Sequence, residues 1–142
     1  MFYGQAKHSI DAKGRVILPS KYRESLGESF FVLRGFEKCL FVYTEADYHE
    51  LEAKIKALPI SNDGGVIQRY IFHYTEQVTA DKQGRFVIPP KLREFAGLDK
   101  DIIIAGASSR IEIWDEKEYE KYEQKIEADP QKLSEILNLF GI

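Results

Sequence analysis

Residues 11–27 read DAKGRVILPSKYRESLG, and residues 81–97 read DKQGRFVIPPKLREFAG. At an offset of 70, eight of these 17 positions are identical: Asp11/Asp81, Gly14/Gly84, Arg15/Arg85, Pro19/Pro89, Lys21/Lys91, Arg23/Arg93, Glu24/Glu94 and Gly27/Gly97. Ungapped chance pairing would give roughly one. After a one-residue slip the match continues at an offset of 71. Phe31-Val32-Leu33 then falls on Ile102-Ile103-Ile104, Gly35 on Gly106, Leu40–Tyr43 on Ile111–Trp114 and Tyr48 on Tyr119. The chain is one unit of about 50 residues written twice. A unit that small rarely buries enough apolar surface alone. Two units, residues 1–60 and 66–142, are therefore expected to share one core around a pseudo-twofold axis, as one intertwined domain.

Within each unit the order of signals is the same. Gln5–Ile10 and Glu76–Ala80 are short mixed segments that read as strands. Lys13-Gly14 and Gln83-Gly84 supply the glycine that a tight hairpin turn needs for positive φ. Val16-Ile17-Leu18 and Phe86-Val87-Ile88 are β-favouring runs closed by Pro19 and Pro89, which can open a helical turn. Lys21–Leu26 and Lys91–Ala96 are the predicted short helices, ended by Gly27 and Gly97. Hairpins follow at Phe30–Arg34 with Leu40–Tyr43, and at Ile102–Ala105 with Ile111–Trp114. An amphipathic helix ends each unit, carried by Tyr48, Leu51, Ile55 and Leu58 and by Tyr119, Tyr122 and Ile126. Pro59 to Gly65 reads as the linker, with Val66–Phe72 extending as a helix beyond it. Asp129-Pro130 opens a last helix whose stripe is Leu133, Ile136, Leu137 and Phe140. Such a stripe packs either on its own chain or on a neighbouring subunit. The class is α+β, two β-rich repeats with flanking amphipathic helices.

Charge is where whole-chain composition misleads. Twenty Lys and Arg against 23 Asp and Glu leave −3, which taken at face value argues against a nucleic-acid-coating protein. By segment, residues 1–27 carry +3 and residues 81–97 carry +2, leaving −8 for the remainder. The excess positive charge thus sits on the repeated motif, and only a docking surface needs to meet phosphate. A hydrophobic fraction of 44% with 30% charged residues is that of a folded chain. No apolar run approaches a membrane span, and Met1 to Asp11 has no apolar core of a secretion signal. The single cysteine, Cys39, reads as a buried thiol in a reducing cytoplasm.

The Asp-x-x-Gly-Arg core carries the chemistry. On a hairpin, Lys13 and Arg15 flank a glycine that brings the backbone close to whatever lies opposite. A two-stranded ribbon is narrow enough to enter a major groove. Arg15 and Arg85 can then form bidentate bonds to guanine or phosphate, with Lys13 and Lys82 as less directional charges. Asp11 and Asp81 would hold the arginine forks. The other reading is that each Asp–Arg pair fastens its turn and nothing more. Arg23 and Arg93 read as structural, paired with carboxylates or with the other half. His8, His49 and His73 have no metal-ligand spacing, and phosphate-loop and Rossmann patterns are absent, so no metal or cofactor is expected. A carboxylate dyad of Asp11 and Asp81, as in aspartic proteases, is disfavoured because each aspartate has basic neighbours within four residues. No enzyme activity is expected.

The opening Met1-Phe2-x-Gly4, the two blocks Asp11–Arg15 through Arg23 and Asp81–Arg85 through Arg93, and Arg110-Ile-Glu-Ile-Trp114 together resemble the MraZ family. Its two units are similar to the AbrB/SpoVT DNA-binding motif. The resemblance covers essentially the whole chain, and its one departure is Gln83 where the first unit has Lys13. It implies a swapped-hairpin, double-split β-barrel, a ring-shaped homo-oligomer and a cytoplasmic, nucleoid-associated repressor. Its partner would be double-stranded DNA, as short direct repeats upstream of the division and cell-wall gene cluster that includes its own gene. Arg15 and Arg85 are the DNA contacts that it implies, with Lys13, Lys82 and Gln83 beside them and Asp11, Gly14, Asp81 and Gly84 supporting the motif. The competing reading is an oligomeric protein-interaction module whose basic loops are structural.

Overall fold

In the computed structural model, which describes residues 1–142, eight strands and six helices follow one another in two similar series. The first contains β1 (Gln5–Ser9), β2 (Arg15–Ile17), α1 (Ser20–Leu26), β3 (Ser29–Arg34), β4 (Leu40–Thr44) and α2 (Glu45–Lys56). After α3 (Asp63–Phe72) come β5 (Glu76–Thr79), β6 (Arg85–Val87), α4 (Pro90–Ala96), β7 (Asp101–Gly106), β8 (Ile111–Asp115) and α5 (Glu116–Glu127). A last helix, α6 (Pro130–Leu139), completes the chain. The fold is α+β, and every ladder is antiparallel.

The two predicted hairpins, β3–β4 and β7–β8, lie side by side through β4 and β8. Each is then extended by a strand from the other half: β1 adds to β7, and β5 adds to β3. The six-strand order is β1-β7-β8-β4-β3-β5, an open ladder with β1 and β5 at its edges. A separate two-stranded ribbon pairs β2 with β6.

That ribbon corrects the local reading of the motif. The turns at Gly14 and Gly84 do not cap hairpins within one half. Beyond a single rung from the Asp11 amide to the Arg15 carbonyl at 2.9 Å, the arms part. Ile10 donates to Lys100 O, and Val16 pairs with Phe86. The strand before the turn therefore belongs to the large sheet and the strand after it to the ribbon. The motif stitches the two together.

Period-two alternation explains the layers. From the large sheet, Phe30, Val32, Leu40, Val42, Ile102, Ile104, Ile111 and Ile113 face one core, which the ribbon residues Val16 and Phe86 and the α1 and α4 residues Tyr22, Leu26, Leu92 and Ala96 close. Intervening residues Leu33, Phe41, Ile103 and Trp114 face a second core under Tyr48, Ile55 and Ile71 of α2 and α3. Strands buried on both faces read as continuous apolar runs, which is why Ile102-Ile103-Ile104 shows no alternation in sequence. Phe86 fixes the ribbon to the sheet by an edge-on contact with Phe30, centroids 5.1 Å apart. Cys39 lies in the second core, 1% exposed, and burial pushes its thiol pKa up to about 12.

Two helices depart from the sequence reading. α3 begins at Asp63 rather than Val66, so Gly64 and Gly65 are helical. Both sit where the preceding chain folds back, and a Cβ on either would collide with the carbonyls of Pro59 and Ile60. On α6 the Asp129 side chain caps Lys132 N at 3.0 Å as the spacing predicts, but the apolar stripe is left open. Leu133, Ile136, Leu137 and Phe140 all remain exposed, and the main packing of α6 is along α5. No helix is long and apolar enough to cross a membrane.

Candidate nucleic-acid interface

Each turn is organised by its aspartate. Asp11 Oδ1 accepts the Lys13 amide at 2.9 Å and the Arg15 amide at 2.8 Å, while Oδ2 accepts Arg15 Nε at 2.8 Å. Asp81 repeats this with Gln83 N at 2.9 Å, Arg85 N at 2.9 Å and Arg85 Nε at 2.8 Å. Gly14 and Gly84 close the turns onto the aspartate carbonyls with φ of 75° and 78°. A side chain would strain that backbone. The cost of ordering an arginine is thereby met inside the loop. Only Nε is engaged, and the two terminal guanidinium nitrogens of Arg15 and Arg85 bond no protein group. A forked donor held by its stem is the geometry for bidentate recognition of guanine or phosphate oxygens.

Both carboxyls are held below the ordinary carboxylate value of 3.8. The largest cause is the backbone amide of Arg15 or Arg85 donating to the charged form, with the guanidinium and the Lys13 or Gln83 amide adding to it and desolvation opposing. Two carboxylates sharing a proton would show the reverse, one of them raised. Asp11 and Asp81 bond their own arginines and not each other, which is the arrangement of two clamps and not of a catalytic dyad.

The ribbon places the two clamps together. Its register sets Arg15 opposite Val87, Val16 opposite Phe86 and Ile17 opposite Arg85. Val16 and Phe86 point into the core, so Arg15, Ile17, Arg85 and Val87 share the outer face. The arginines occupy one diagonal, roughly 7–8 Å apart at the backbone. Lys13, Lys82 and Gln83 project from the adjoining turns and are exposed. Ile17 and Val87 are the face residues that reading the motif alone passes over. Their signal was a run of three apolar residues before each proline, since the middle one must face away from its buried neighbours.

Arg23 and Arg93 support the turns from the opposite half, not through carboxylates. Arg23 Nε donates to Leu18 O at 3.0 Å, and its guanidinium lies against Gly84. Arg93 bonds Leu98 O at 3.1 Å and Asp99 O at 2.6 Å, with Nη1 3.6 Å from where a Gly14 Cβ would stand. Backbone bonds Leu18 N to Gly84 O and Ile88 N to Gly14 O complete the exchange, so each turn rests on the other half. Three further residues of these blocks make contacts within the fold. Tyr22 Oη donates to the carbonyls of Tyr3 and Gly4, and Arg110 and Trp114 both bond the Glu112 carboxylate.

A family model described as "MraZ protein, putative antitoxin-like" matches residues 1–64 and 71–138. The chain is 45% identical to a protein of Acetivibrio thermocellus named Transcriptional regulator MraZ, covering all of both chains. It is 43% identical to the protein of that name from Heliobacterium modesticaldum, again over all of both chains. With the one from Desulforamulus reducens it shares 42% over 95% of this chain and 96% of the other.

Proposed function

The chain belongs to the MraZ family, and from that premise we propose that it is a sequence-specific DNA-binding transcriptional regulator. It represses the division and cell-wall gene cluster that includes its own gene, by binding short direct repeats in the promoter. Arg15 and Arg85 contact DNA, assisted by Lys13, Lys82 and Gln83. The observation that carries this reading is the outer face of the β2–β6 ribbon, where two arginine forks stand on one diagonal with their terminal nitrogens free and their stems clamped by Asp11 and Asp81. A doubled, pre-ordered cationic face on a chain of net charge −3 fits a partner that presents paired phosphates and base edges.

Residues 1–60 and 66–142 act as two AbrB-like units in one intertwined domain, of the swapped-hairpin double-split barrel kind. The strands that each half lends to the other favour that reading. The protein works in the cytoplasm, on the nucleoid, as a ring-shaped homo-oligomer. The uncovered stripe on α6 offers a surface for subunit contact. A ring would present many loops to several repeats, so avidity would set occupancy.

The test is a salt titration of binding to DNA upstream of the protein's own gene. Arg15→Ala with Arg85→Ala should keep fold and oligomer and lose binding by about 30-fold or more, since each bidentate contact is worth roughly 1–3 kcal/mol. Unchanged affinity in the double variant would sink the proposal. A wild-type chain that ignores both heparin and promoter DNA at low salt would instead be the protein-interaction module.

A further inference from the structure

Four side chains make the outer face of the ribbon, and two of them are aliphatic. Ile17 is 48% exposed and Val87 52%. The other residues of β2 and β6 have their tasks: Val16 and Phe86 fill the core, and the two arginines are clamped by aspartates. β-branched residues suit a strand, but threonine would serve a water-facing position as well while exposing less hydrocarbon. Ile17 and Val87 occupy the second diagonal of the face, crossing the arginine diagonal at the Val16–Phe86 pair.

Resting on the DNA reading above, we infer that Ile17 and Val87 are specificity-determining residues whose methyl groups pack on the C5-methyl groups of thymines in the major groove. Among the base edges of that groove, the thymine methyl is the apolar group on offer. An aliphatic side chain carried in beside an arginine fork gains by covering it and loses against a polar edge. The diagonal separation of about 7–8 Å corresponds to roughly two base-pair steps of 3.4 Å. The face therefore selects thymines about two steps apart, between or beside the groups taken by Arg15 and Arg85. Both side chains are stiff at χ1 and sit on a ribbon anchored through Phe86, so little ordering is needed on docking.

The test compares two duplexes, the DNA upstream of the protein's own gene and the same duplex with every thymine replaced by uracil, which lacks only the methyl. Wild-type chain should favour the thymine duplex by about fourfold per covered methyl, or roughly fifteenfold for two. Ile17→Ser with Val87→Ser should bind both duplexes alike, with the salt slope of the wild type, because no charge is removed. Should that variant fail to fold, Ile17→Thr with Val87→Thr keeps the β-branching and should lose part of the preference. Wild-type binding that ignores the methyl, or a preference unchanged in the variants, overturns the inference and leaves the arginine reading standing. A wild-type chain that binds neither duplex overturns both.

Discussion

The two turns are alike inside and differ outside. Their internal hydrogen bonds agree to within 0.1 Å, Asp11 with Arg15 and Asp81 with Arg85. Yet the arginines that brace them from the other half do not bond equivalently. Arg23 reaches back to Leu18 O, whereas Arg93 reaches forward to Leu98 O and Asp99 O. The cause is the one-residue slip in the repeat. After Gly97 the second half has one more residue than the first has after Gly27, and Arg93 takes carbonyls within that longer connection. The helix ends differ accordingly, Gly97 being left-handed at φ 62° and ψ 33° while Gly27 is extended in ψ at 178°. Freed from its forward partner, Arg23 lies over Gly84, which is buried, and Gly14 is only half covered. A duplicated motif thus keeps its own hydrogen bonds while a single insertion several residues away re-partners its support.

The largest test of this asymmetry is a glycine pair. Gly14→Ala should cost about 1–2 kcal/mol, the strain of an L-residue at positive φ. Gly84→Ala carries the same strain and must also displace the Arg23 guanidinium, forfeiting a charged hydrogen bond worth roughly 1.5–3 kcal/mol. Urea unfolding should therefore rank Gly84→Ala as clearly the worse. Equal losses would mean that the two braces are interchangeable after all.

Most of this asymmetry lay outside the reach of sequence reasoning, for physical reasons. The repeat, the turn glycines and the hairpins β3–β4 and β7–β8 were legible because turn chemistry and apolar runs are local. The β2–β6 pairing was not. A strand of three residues shows one buried position, Val16 or Phe86, and nothing in such a pattern names its partner. Of the two partners that Arg23 and Arg93 suggest, carboxylates or the other half, the second holds, through Gly84 and Gly14; their hydrogen bonds go to backbone carbonyls, which leave no mark in a sequence. The α6 stripe showed that one face of the helix is apolar, not what would cover it. Ile17 and Val87 stand in sequence only as members of β-favouring runs, because which face of so short a strand is buried depends on the partner it pairs with.

A smaller effect separates the tips of the turns. The first turn carries Ala12-Lys13 and the second Lys82-Gln83, so each has one lysine but at a different position. If position 13 faces phosphate, Lys13→Gln should flatten the log–log salt dependence of promoter binding by about 0.9, one released counterion. Gln83→Lys should steepen it by about the same amount, making the second turn resemble the first. A slope that does not move with Gln83→Lys would show that the tips meet DNA unequally, whatever the likeness of their backbones.

Acid offers the finest comparison, because here the two turns should behave identically. Asp11 and Asp81 have folded-state pKa values lowered below 3.8, with the same causes in the same order. A lowered carboxylate stabilises the folded turn fully above its unfolded value, and that contribution is lost as pH falls through the lower, folded value. Both clamps should therefore stay shut through the ordinary carboxylate range and open together below it, freeing Arg15 and Arg85 in one step. Hydrogen exchange of the Lys13, Arg15, Gln83 and Arg85 amides, followed downward in pH, reads this directly. Asp81→Asn should leave the first turn's transition in place and remove the second's. Two well-separated transitions in the wild type would mean that the different braces, Arg23 over Gly84 and Arg93 beside Gly14, reach into the carboxylates themselves and that the equivalence inside the turns is only geometric.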